Sequence, residues 1–226
     1  MPDKLGLFVT FEGIDGSGKS TQLTLLAQTL SRLGVPHLVT RNPGGTELGK
    51  EIRQMLLHHP GHVDPTCELL LYMADRAQHQ AQVVLPALAA GQIVLCDRHG
   101  DSTLAYQGYG RGLPLALIRS LNATATQGRL PDLTLLFDGP VDVLANRVAQ
   151  RGEADRLERE ALTFRQKVRQ GYLNLAMADT ERVRILDATE PVEALQQQVL
   201  ALIQAACEER GVSLQPQQSP TPAGSS

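Results

Sequence analysis

Gly13-Ile14-Asp15-Gly16-Ser17-Gly18-Lys19-Ser20 decides the reading of this chain. The octet fits the pattern G-x-x-x-x-G-K-[ST], and its flanks fit too. Before it, Leu5 to Glu12 is a short apolar run with β-favouring Phe8, Val9 and Phe11, too short for a helix and suited to a buried strand. After it, Leu23, Leu26, Ala27, Leu30 and Leu33 recur at helical spacing until Gly34 supplies a stop. In a strand–loop–helix of this kind the glycines let backbone N–H groups converge on phosphate oxygens, and the helix N-terminus adds partial positive charge. Lys19 then reaches the β- and γ-phosphates of ATP, and Ser20 is a ligand for Mg²⁺. A glycine-rich turn that merely joined strand to helix would not need all eight positions.

Working outward, strand-like runs follow at His37 to Thr40, Gln92 to Cys96, Leu133 to Phe137 and Val183 to Leu186, with helical patterns between them. Such alternation predicts an α/β fold of the P-loop NTPase type: a parallel five-stranded sheet with helices on both faces and an arginine-rich lid. Pro86 should kink or break the long helical stretch between Pro65 and Gly91. A further helix is expected from about Leu157 to Asp179. With no repeat and no internal linker, residues 1–210 read as one domain with its lid at about 147–160. Residues 211–226, where Pro216, Pro220 and Pro222 alternate with Gln, Ser and Gly, read as a disordered tail.

The balance of 21 basic against 24 acidic side chains offers no large basic field, which argues against a nucleic acid polymer or an anionic membrane as partner. Cys67, Cys96 and Cys207 show neither a disulfide framework nor zinc-ligand spacing, and no apolar run reaches the roughly 18 residues of a membrane span. A cytoplasmic protein acting on a small molecule is the expectation.

In an open parallel sheet ligands gather beyond the carboxyl ends of the strands. After the second strand, Arg41-Asn42-Pro43-Gly44-Gly45-Thr46 offers a guanidinium fork for phosphate, or is an ordinary turn in which Thr46 caps the next helix. After the third, Asp97-Arg98-His99 places a carboxylate that can hold Mg²⁺ or its waters. Beside it stands an arginine suited to an acceptor phosphate; a surface ion pair is the plain alternative. Arg147, Arg151 and Arg156 could close over ATP, or could be cations favoured at a helix C-terminus.

Further stretches go beyond a generic phosphate loop: Pro-Gly-Gly-Thr at 43 to 46, Asp97-Arg98-His99, Ala105-Tyr106-Gln107-Gly108, Gly110-Arg111-Gly112 and Arg151-Gly152-Glu153. With Phe11 to Ser20 they resemble the thymidylate kinases of the bacterial type, in the family's order over about residues 5 to 190. The resemblance implies transfer of the ATP γ-phosphate to dTMP with Mg²⁺, usually in a homodimer. It assigns Asp15 to the sugar 3′-hydroxyl and Arg98 to the dTMP phosphate. Tyr106 falls to the 2′ carbon, and Ser102, Thr103 and Gln107 to the same pocket. Arg41 and Pro43 belong to the acceptor side. Glu68, Tyr72 and Arg76 are four apart and share one helix face; the family stacks thymine on the ring and bonds it with the arginine. Two positions depart from the family: Asn42 replaces the usual Glu, and Tyr72 the usual Phe. No arginine occupies positions 14 to 17, which agrees with a lid that supplies the catalytic cations.

Overall fold

The computed structural model describes residues 6–150, 156–157 and 160–214. Five strands, β1 (Phe8–Glu12), β2 (His37–Arg41), β3 (Ile93–Asp97), β4 (Leu133–Asp138) and β5 (Val183–Asp187), form one sheet in the order β2-β3-β1-β4-β5. Every pairing is parallel. The central strand β1 is buried along its whole length, whereas the edge strand β2 has no fully buried residue and β5 is buried only at Val183 and Leu186. The burial of β1 is why its run is apolar up to Glu12 save for the buried Thr10.

Helix α1 (Lys19–Arg32) follows the phosphate loop; α2 (Glu47–His58) and α3 (Pro65–His79) follow β2. Thr46 caps α2, accepting from the Gly49 amide at 2.9 Å, and Asp64 caps α3 with Pro65 as its first residue. The break expected at Pro86 begins earlier, as a π-helical turn at Gln80–Val84 leading into α4 (Leu85–Ala89). Pro86 has no N–H for an α-helical bond, and the chain re-registers just before it, Leu85 N–H bonding the Gln80 carbonyl.

Beyond β3 come α5 (Gly100–Thr103), a second π-helical turn at Leu104–Gly110, and α6 (Leu115–Thr126). Next are α7 (Val141–Ala149), α8 (Leu162–Ala178), which starts later than Leu157, and α9 (Val192–Arg210), closed by Gly211 in the left-handed region. Helices α1 and α9 share one face of the sheet; α4 and α8 cover the other. Alternation along β1 sends Val9 and Phe11 into the larger core with Leu26 of α1 and Val199 of α9, while Phe8 packs with Val84 and Val94 on the opposite side. Glu12 shares the parity of Phe8, so it points toward α5 and α8. Arg151 of the expected lid and residues 215–226 of the expected tail lie outside the described residues.

Candidate active site

The loop between β1 and α1 is built around close backbone approaches. A Cβ on Gly13 would come within 2.4 Å of the Phe137 carbonyl oxygen, and one on Gly16 within 2.2 Å of that of Leu144; both residues have positive φ. Lys19 curls back over the loop, its Nζ donating to the Gly13 and Ile14 carbonyls at 2.9 Å each and to Ser17 Oγ at 3.3 Å. Burial, and then the charge of Arg98, pull its amine down to about 8 against the attraction of Asp15, Asp97 and Glu12. Ser20 Oγ donates to Asp97 Oδ2 at 3.2 Å, so the hydroxyl and carboxylate expected at a metal are adjacent.

Arg98 stands at the centre. Its backbone sits at φ 67, a costly conformation for a branched-chain-free but bulky residue, at the turn where β3 gives way to α5. Its guanidinium donates to Asp15 Oδ1 at 2.5 Å, to the Gly13 carbonyl at 2.9 Å and to the hydroxyls of Tyr172, Ser102 and Tyr106 at 3.1 to 3.2 Å. Burial would raise the Asp15 carboxyl, but Arg98 and Lys19 outweigh it and hold that group at about 2. Tyr106 Oη also donates to Asp15 Oδ2, at 3.2 Å. The surface-pair alternative for Asp97-Arg98 therefore fails, because this arginine is part-buried and ties three segments together.

Two clefts meet at this arginine. One is lined by Gly16, Gly18, Lys19, Ser20, Arg41 and Asp97, among others. The other is lined by Pro43, Tyr72, Arg76, Ser102, Thr103, Tyr106 and Gln107. Asp15, Asn42, Arg53 and Arg98 belong to both. The expected acceptor residues thus share one cleft except Arg41, which faces the phosphate-loop side from the end of β2. Arg147 reaches the loop from α7, bonding the Ala188 carbonyl at 2.8 Å and approaching the Gly16 carbonyl at 3.5 Å.

Arg156, expected over ATP, stands instead beside the second cleft. Its Nε donates to the Leu56 carbonyl at 2.8 Å and its Nη2 to Glu68, a fully buried carboxylate that attracts it there. Gln107 donates to the same carboxylate at 2.7 Å, and Arg111 at 3.3 Å. Arg76 is 1% exposed, so it is a buried cation and not a solvated one. It donates to Asn122 Oδ1 at 2.6 Å, Asn42 Oδ1 at 2.7 Å and the His99 carbonyl at 3.1 Å. A carboxylate that sequence patterning gave no role, Glu12, accepts from His99 N at 2.6 Å, Ser102 Oγ at 2.5 Å and Tyr172 Oη at 2.9 Å. Burial and the nearby Asp101 raise its pKa above the usual range, opposed by Ser102 and Arg98.

The thymidylate kinase family model matches residues 11–199, a span that contains both clefts. The chain belongs to the thymidylate kinase family. It is 51% identical over 190 residues to the thymidylate kinase of Carboxydothermus hydrogenoformans, covering 84% of this chain and 93% of that protein. It is 48% identical to the thymidylate kinase of Deinococcus radiodurans over 91% and 98% of the two chains. The crystal structure of thymidylate kinase from Ehrlichia chaffeensis superposes with a TM-score of 0.71 at 35% identity, covering 88% of this chain and 98% of that one. This member of the family is accordingly a P-loop phosphotransferase, with a five-stranded parallel sheet.

Residues that sequence reading passed over in this chain include Arg53, which lines both clefts and donates to the Pro43 carbonyl at 3.1 Å, and Tyr172. Neither carries a local signal: each is one polar residue on a helix whose pattern is otherwise ordinary. Glu12 did carry one, a charge closing a buried strand.

Proposed function

We propose that this member of the thymidylate kinase family transfers the γ-phosphoryl group of ATP to dTMP, giving dTDP and ADP. The observation that carries the reading is the meeting of the two clefts at Arg98 and Asp15, with Lys19 on one side and Tyr72 and Arg76 on the other. Main-chain amides of residues 13–20 and Lys19 hold the triphosphate, with Arg147 beside them and Arg151 added from the lid. Arg98 takes the dTMP phosphate, whose anionic oxygens outcompete the neutral hydroxyls now sharing its N–H groups. With both phosphates anchored, transfer proceeds by positioning and by cations matched to the charge on the moving group. Asp15 retains free lone pairs for the sugar 3′-hydroxyl, and the Tyr106 ring lies beside it to disfavour a 2′-hydroxyl. Tyr72 stacks on thymine and Arg76 bonds its carbonyl.

Ser20 and Asp97 suit Mg²⁺, a hard cation that takes one or two protein oxygens and fills its remaining positions with water and phosphate. When bound, the ion neutralises charge on the β- and γ-phosphate oxygens. Other residues of this chain bind and orient around it.

The enzyme acts in the cytoplasm as a homodimer. Among described residues, Leu70, Cys67, Ala74 and Ala77 are exposed along one uncharged face of α3, flanked by exposed Leu48 and Met55 of α2. Such a face supports pairing of two copies. Sedimentation of the native chain should give a dimer, and Leu70→Glu should shift it to monomer; a monomeric native chain contradicts the assignment.

The function is tested by coupled ADP release with dTMP, dUMP, CMP, AMP and GMP side by side. Preference for dTMP is expected. Preference for another monophosphate would leave phosphoryl transfer standing and overturn the acceptor, whereas turnover indifferent to every acceptor would indicate a nucleotide-driven switch.

A further inference from the structure

With Asp75 opposite it, Asn42 occupies a position where neither a charged side chain nor an apolar one could do the same work. Its Oδ1 accepts from Arg76 Nη2 at 2.7 Å while its Nδ2 donates to Asp75 Oδ2. Asp75 is fully buried, and its other oxygen accepts from the Gly44 amide at 3.0 Å. The fold leaves room for this carboxylate: a Cβ on Gly49 would come within 2.3 Å of Asp75 Oδ1. One amide therefore links the arginine of the acceptor cleft to a carboxylate with which Arg76 makes no hydrogen bond in the structure, and that carboxylate in turn pins the backbone of the 43–46 loop.

The other terminal N–H groups of Arg76 meet Asn122 and the His99 carbonyl, while Nε is buried without a hydrogen-bond partner. A guanidinium so clamped at both ends has Nε as its uncommitted donor, and its plane is set by where its acceptors stand.

Resting on the reading of this cleft as the dTMP site, we propose that Asn42 is a positioning residue for recognition of the acceptor base, relaying the anchor of Asp75 to Arg76. Opposite Asp75 an amide is required because it accepts on one side and donates on the other. A carboxylate at 42 could still receive Arg76 but would face Asp75 as a like charge.

The relay predicts a specific rescue. Asn42→Asp and Asp75→Asn each spoil one link; together they exchange donor and acceptor while conserving charge and hydrogen-bond count. At pH 8, each single variant and Asn42→Ala should raise KM for dTMP about tenfold to a hundredfold, with kcat at saturating dTMP and KM for ATP within about threefold of native. The double variant should return KM for dTMP to within about threefold of native. Should Asn42→Asp fail to fold, the comparison runs between Asp75→Asn and the double variant. The proposal is overturned if the double variant is no better than the poorer single one, if KM for dTMP does not move, or if KM for ATP rises as much. A native enzyme that ignores dTMP would defeat the acceptor assignment alone, and the same variants are then compared with the monophosphate it does use.

Discussion

Lys19→Met is expected to lower kcat about 10³-fold while leaving the nucleotide-free protein at least as thermally stable as native. On the proposed reading the rate loss is that of a cation removed from the transferring phosphoryl group. The stability result follows from the lysine's burial. A lysine whose amine has fallen from 10.5 to about 8 is held charged in the fold at a cost. The cost is fully present below pH 8, where both folded and unfolded chains carry the proton. It is relieved as pH rises from about 8 toward 10.5, where only the unfolded chain binds the proton. ATP, an anion, should restore the charge, so its affinity should be flat below about pH 7.5 and fall by up to tenfold per unit above about pH 8. Calorimetric titration across pH 6.5 to 9.5 reads this directly; a flat profile through pH 9.5, or a variant that loses activity only because it melts, would reverse the assignment.

Arg98→Ala should cost about 10³-fold in kcat/KM for dTMP, with KM for ATP little changed, because it removes the cation proposed to face the acceptor phosphate. It also strips Asp15 of its nearest positive partner and three hydroxyls of their donor. The Asp15 carboxyl, held at about 2 in the native protein, should rise when that partner is gone. Arg98→Lys restores a charge but not a planar fork able to serve five acceptors, so it should recover only part of the loss. Steady-state kinetics with dTMP and ATP varied separately distinguish these outcomes; equal losses in both KM values would mean that Arg98 holds the fold together rather than the acceptor.

Much of this was legible in the sequence because it is local. The phosphate loop is contiguous, and its Gly16 and Gly13 are demanded by carbonyls 2.2 and 2.4 Å from where side chains would begin. The order of strands and helices follows from apolar spacing, and the shared face of Glu68, Tyr72 and Arg76 from a fourfold repeat. What escaped was non-local. Arg156 reads as a lid cation by its neighbours in sequence, yet its partner Glu68 is 88 residues away. The convergence of Glu12, Ser102 and Tyr172 joins residues up to 160 apart, and no pattern within one element reports it. The π-helical turn carrying Tyr106 is likewise invisible to a periodicity of 3.6. For Asn42, the resemblance to the family marked a departure, and only the geometry showed that its amide stands between Arg76 and Asp75.

The central claim is that ATP and dTMP lie in adjoining clefts with their phosphates meeting between Lys19 and Arg98. A crystal structure of the protein with a non-hydrolysable ATP analogue and dTMP tests it most directly. The account predicts the γ-phosphate on Lys19 and the amides of residues 13–20, the dTMP phosphate on Arg98, and the thymine between Tyr72 and Arg76. A triphosphate bound away from that loop, or a dTMP phosphate turned away from Arg98, would contradict it.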